Sequence, residues 1–150
     1  MDPIIVGFVS GAAAGVIMGL LSDILFRLKI FKSSLLVVDG AFFFRTLKLQ
    51  GTARLIYAAG LFIHLITSGV FGALYILLSV LGFSATESVS LAAISIYVVL
   101  LWLSMLFVAL PVAGEGLLGR KSGPLTWFEQ LILHVIFLFV YYSCLRALLV

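Results

Sequence analysis

Four long apolar runs decide most of what this chain can become. They cover approximately residues 4–25, 55–81, 89–113 and 127–150. Each is about 20 residues or more, the length a helix needs to cross a ~30 Å hydrocarbon core. In lipid, backbone N–H and C=O groups find partners only within a helix or a closed barrel. The runs lack the period-two alternation of a barrel strand, so helices are expected. Composition agrees, because 64% of the residues are hydrophobic and only 10% are charged. Soluble domains are nearer one quarter charged and need that polarity to cover themselves. The expected fold is an all-α membrane protein: a four-transmembrane-helix bundle, with a short interfacial segment between helices 1 and 2, forming a single domain over residues 1–150.

Charge placement predicts orientation. Arg27, Lys29, Lys32, Arg45, Lys48 and Arg54 lie in the first loop, and Arg120 and Lys121 in the third. The second loop has Glu87 and no basic residue. Under the positive-inside rule, loops 1 and 3 face the cytoplasm and both termini face outward. Arg146 stands apart and can snorkel to the outer interface. The N-terminus begins Met1-Asp2-Pro3, without the basic n-region of a cleavable signal. A retained first span in a bacterial-type inner (plasma) membrane is therefore expected. The net charge of +3 follows from the loops, and no basic, aromatic-interleaved stretch suggests nucleic acid.

Several boundaries carry capping signals. Thr52 is placed to cap span two. Ser84 with Glu87, and Thr126 with Glu129, have the spacing of capping boxes before spans three and four. Pro111 falls near the end of span three. The first loop is unusually apolar from Ile30 to Leu49, with Phe42-Phe43-Phe44 following Asp39-Gly40. An amphipathic helix in the inner interface is expected there, with Arg45 and Lys48 toward headgroups; a docking surface for a partner is the other reading. Asp39 reads as a cap or turn residue. Asp23, four residues before Arg27, reads as half of an i,i+4 ion pair, or as a carboxylate on a cation path. Gly114-Glu115-Gly116-Leu117-Leu118-Gly119 reads as a flexible turn.

Two patterns inside the spans are the candidates for function. Gly7, Gly11, Gly15 and Gly19 recur every four residues, a glycine-zipper stripe that lets another helix approach closely. Its partner is another span of this chain, a second copy, or another protein. Gly60, His64, Ser68 and Gly72 repeat that spacing in span two. His134 in span four follows Gln130 by one turn and precedes Tyr141 by two. Spans two and four run in the same direction, and the histidines lie at similar depth.

Intramembrane histidine is a functional-site hypothesis by default. Three readings stay open. The pair could ligate haem b, with Gly60 and Ser68 leaving room for the macrocycle. It could exchange protons or hydrogen-bond a quinone. It could simply form two interhelical hydrogen bonds. A metal site is not expected, because zinc wants three or four ligands and no Cys or carboxylate neighbours either histidine in sequence. The lone Cys144 excludes a Cys-x-x-Cys redox pair. No Walker loop, His-Glu-x-x-His motif or Gly-x-Ser-x-Gly elbow is present, so no catalytic residue is assigned. With almost no extramembrane mass, the leading expectation is a non-catalytic accessory subunit of a larger membrane complex. Its partners would be the lipid bilayer and other subunits or copies of itself. A self-associating small transporter or channel is the alternative.

Overall fold

The computed structural model describes residues 2–82 and 89–149. The expected Ser84–Glu87 capping box lies outside those residues. Among the described residues the chain is helical and has no strand. Helix α1 spans Pro3–Arg27, α2 Leu35–Thr46 and α3 Ala53–Val80. Helix α4 runs Leu91–Val112 with a π-turn at Met105–Ala109, and α5 runs Thr126–Leu149. A short 3₁₀ turn, Leu117–Gly119, lies between α4 and α5. Helices α1, α3, α4 and α5 are long and apolar enough to cross a membrane.

The helix starts follow local chemistry. Asp2 accepts the Ile4 N–H at 2.7 Å and Pro3 occupies the first turn, where its missing N–H costs nothing. Thr52 caps α3 as expected, accepting from the Leu55 N–H at 3.4 Å. The box at the start of α5 does not form. The Thr126 hydroxyl donates to the Gly123 carbonyl, while the Glu129 carboxylate turns away to the Lys32 N–H, 3.2 Å from each oxygen. A tertiary donor thus replaces the local one, joining the α1–α2 connection to α5.

Pro111 accounts for the π-turn. A proline inside a helix removes one N–H and crowds the carbonyl four residues back. The wider turn shifts that register, and the Leu110 N–H bonds the Met105 carbonyl five residues earlier. The connection after α4 is held more firmly than its glycine content suggested. Ser122 donates to Glu115 at 2.5 Å, Lys121 N–H bonds the Glu115 carbonyl, and the Arg45 guanidinium donates to the Ala113 carbonyl.

Helix α1 packs antiparallel on α3, with its glycines against small residues. Gly7 and Gly11 face Gly72, Gly15 faces Ser68, and Gly19 meets Leu36 of α2 and His64. A Cβ on Gly7 would lie 2.8 Å from the Gly72 carbonyl oxygen. Helix α5 packs on α1 and α4. Away from the basic loops the core is aromatic. Tyr75 sits 5.2 Å from Tyr97 and 6.0 Å from Tyr141, ring to ring, and Phe137 stacks on Tyr141 at 5.6 Å. The buried Tyr141 hydroxyl donates to the Gly72 carbonyl at 2.7 Å, a carbonyl at the α1–α3 contact.

Candidate functional site: an intramembrane cavity with two histidines

Helix α2 sets the geometry of the site. It docks on α3 with the two backbones in contact: Gly40 lies against Ile56 and Gly60, and Gly60 against Leu36 and Gly40. Leu35 and Leu36 are buried, while Val37 and Phe43 face outward. The Leu35 N–H donates to Ser22 Oγ at 3.0 Å, and Ser34 Oγ donates to Asp23 at 3.2 Å. Asp23 also holds Arg27 at 2.6 Å, the i,i+4 pair the spacing predicted. It is therefore a strut for α2 as well as an ion-pair partner.

The docking carries Asp39 into the bundle. Asp39 was expected to cap or turn the chain; it lies inside α2, and its carboxylate meets His64 Nδ1 at 2.9 Å. A carboxylate accepts, so the Nδ1 proton belongs to the imidazole. In neutral His64 this leaves the lone pair on Nε2, which is buried and has no hydrogen-bond partner. His134 has the same polarity by a different route. Its Nδ1 bonds the Gln130 backbone carbonyl at 2.8 Å, one turn back along α5, which again assigns the lone pair to Nε2. Each histidine is 8% exposed.

Both rings line one cavity of about 270 Å³. Asp39, Ser68, Met18 and Phe137 line it too, with Ile63, Thr67 and Phe71 from α3 and Leu101, Ser104, Met105, Val108 and Ala109 from α4. His64 is ~16 Å along α3 from Ala53, and His134 ~12 Å along α5 from Thr126. The sequence suggested that the two histidines could meet; they line the same cavity. They do not bond each other, because His64 Nε2 is unpartnered.

The small-residue positions have a different place from the one the haem reading needs. Gly60 is filled by α2 and Ser68 by Gly15 of α1. Those contacts take up the room the macrocycle would need at these two positions, and 270 Å³ is below the ~300–1,000 Å³ typical of pockets for drug-sized ligands. A porphyrin ligated on both faces does not fit these residues. Among the described residues, no three His, Cys, Asp or Glu groups are arranged to hold a metal ion.

Sequence reasoning missed Asp39, Met105 and Val108. An aspartate in an otherwise apolar loop segment was one available signal, since a carboxylate drawn partly out of water needs a partner. The two α4 residues reach the cavity on the π-turn, which Pro111 alone could have suggested. No family model, no curated protein and no solved structure matches the chain.

Proposed function

We propose that this chain is a non-catalytic integral membrane subunit whose cavity receives a small lipid-soluble ring compound of the quinone class. The observation that carries this reading is the pairing of two buried imidazoles, each with Nδ1 committed and Nε2 left for a ligand, on one mostly apolar cavity. A ring with polar atoms at its edge and an apolar body matches such a lining. The subunit reading draws support from α4, the least buried of the four long helices, whose Ile96, Leu100, Phe107 and Val112 point outward. Lipid or a neighbouring subunit would cover that face. The basic loops would lie on the cytoplasmic side, placing the histidines in the inner half of the membrane.

The alternative, a self-associating transporter or channel, has less behind it. The α1 glycine stripe faces α3, so it is not free to join copies. Buried charged and histidine side chains gather at the basic end and stop at His64 and His134; beyond them the core is Tyr75, Phe137 and Tyr141. A continuous polar path across the bundle is missing among the described residues.

The test is purification in mild detergent, with organic extraction and mass spectrometry of bound small molecules. Visible spectroscopy and the mass of the intact particle complete it. A co-purifying quinone-class lipid in a hetero-oligomeric particle is expected. A reduced-minus-oxidised haem band lost in His64→Ala would overturn the ring-compound reading. A pure homo-oligomer that conducts ions in liposomes would overturn the subunit reading.

A further inference from the structure

The cavity's lining has two kinds of residue. His64, Asp39 and His134 are its titratable groups. Thr67 of α3 and Ser104 and Val108 of α4 also line it and are exposed on the bundle surface, so the cavity opens between those helices. Helices α3 and α4 meet instead near Tyr97, whose hydroxyl donates to the Phe71 carbonyl at 2.7 Å and whose ring approaches Tyr75. Because α3 and α4 are both long and apolar enough to cross a membrane, this gap would face the hydrocarbon layer. A tailed, lipid-borne molecule can enter head first and leave its tail in the bilayer.

The titratable groups have a definite hydrogen-bonding sense. His64 Nδ1–H points to a carboxylate and His134 Nδ1–H to a backbone carbonyl, and neither partner can donate. Each neutral ring of this cavity lining therefore keeps an acceptor on Nε2, and that of His64 is buried without a partner. No titratable group of α1 or α4 lines the cavity, where those helices contribute Met18, Leu101, Ser104, Met105, Val108 and Ala109. A ligand that also only accepts would leave both imidazole nitrogens unsatisfied; one that donates would satisfy them.

We propose that the cavity selects hydrogen-bond donors, binding the reduced dihydroxy form of a lipid-borne ring in preference to its oxidised dione. This rests on the quinone-class reading above and adds the redox state of the ligand. Selection here is a difference of two affinities, with no electron transfer. Asp39 is the positioning residue, because its carboxylate fixes which nitrogen of His64 carries the proton.

The experiment is isothermal titration calorimetry on the full chain in lipid nanodiscs. The probes are a decyl-tailed benzoquinone and its hydroquinone, the latter kept anaerobic. Both probes are titrated in the same mildly alkaline buffer. The hydroquinone should bind about tenfold more tightly or better, the worth of one satisfied buried acceptor. In Asp39→Asn the carboxamide can donate to Nδ1 and move the ring proton to Nε2. The preference should then shrink toward parity, and histidine ¹⁵N resonances should report the tautomer change. His134→Phe removes an acceptor from another helix and should also shrink it. Equal affinities, tighter dione binding, or a preference unchanged in both folded variants would overturn this inference while leaving the cavity a ring-binding site. Failure of both probes to bind the wild type would remove the quinone-class reading and this inference with it.

Discussion

Gly60→Ala separates packing from propensity, because the two predict opposite signs. Alanine is the better helix former by about 1 kcal/mol, so in isolation the change should stabilise α3. In the folded chain the new methyl would lie 2.7 Å from the Leu36 carbonyl carbon and 3.0 Å from Gly40 N, and closer still to the Leu36 oxygen. Carbon contacts settle near 3.5–4.0 Å, so α2 and α3 must separate by roughly 1 Å or more. Overpacking of this kind costs about 1–3 kcal/mol. The movement also draws Asp39 from His64, now 2.9 Å apart, past the limit of a hydrogen bond. Loss of a bond to a charged group costs about 1.5–3 kcal/mol more. Net destabilisation of about 1.5–5 kcal/mol is expected after the propensity gain is subtracted. Reversible unfolding in mixed micelles, followed by circular dichroism, measures the stability; ¹⁵N spectra of His64 measure the loss of its partner. A Gly60→Ala protein as stable as the parent, with unchanged His64 resonances, would refute the backbone contact between α2 and α3.

Gly11→Leu should lower stability in the same assay by more than Gly60→Ala, since Gly11 faces the Ser68 carbonyl and the Gly72 backbone. Particle size should stay constant while the protein is folded, because that contact is intramolecular. Tyr141→Phe should cost about 1 kcal/mol by removing the hydroxyl's bond to the Gly72 carbonyl, a modest loss typical of one buried hydrogen bond. Arg27→Met should leave stability nearly unchanged, since its ion pair with Asp23 is largely solvated on the arginine side. Asp23→Ala should cost more, because Ser34 loses its acceptor at the base of α2. A periplasmic-active reporter fused after Val150 should be active and a cytoplasmic one silent; the reverse would sink the orientation drawn from the basic loops.

Much of the fold was legible because hydropathy and capping act locally. Expected spans at 4–25, 55–81, 89–113 and 127–150 became helices at Pro3–Arg27, Ala53–Val80, Leu91–Val112 and Thr126–Leu149. The helical segment expected in the first loop is α2, although its place on α1 and α3 was not foreseen. Errors arose wherever a side chain had a local and a distant option. Glu129 had the spacing for a capping box and instead accepts from Lys32, ninety-seven residues away in the chain. Asp39 resembled a turn residue and instead reaches His64 on another helix.

The sequence by itself determined the number of long helices, the segregation of basic residues to one set of loops, and the four-residue spacing that puts His64 on a small-residue face. Periodicity and transfer free energy suffice for these, because both are sums over neighbouring residues. Only the tertiary structure decided what the histidines face. Gly40 and Gly60 bring two backbones together, that contact carries a carboxylate to one imidazole, and the π-turn in α4 puts Met105 and Val108 beside the resulting cavity. These are relations between segments distant in the chain, and their energies depend on how closely helices approach, which no single helix encodes.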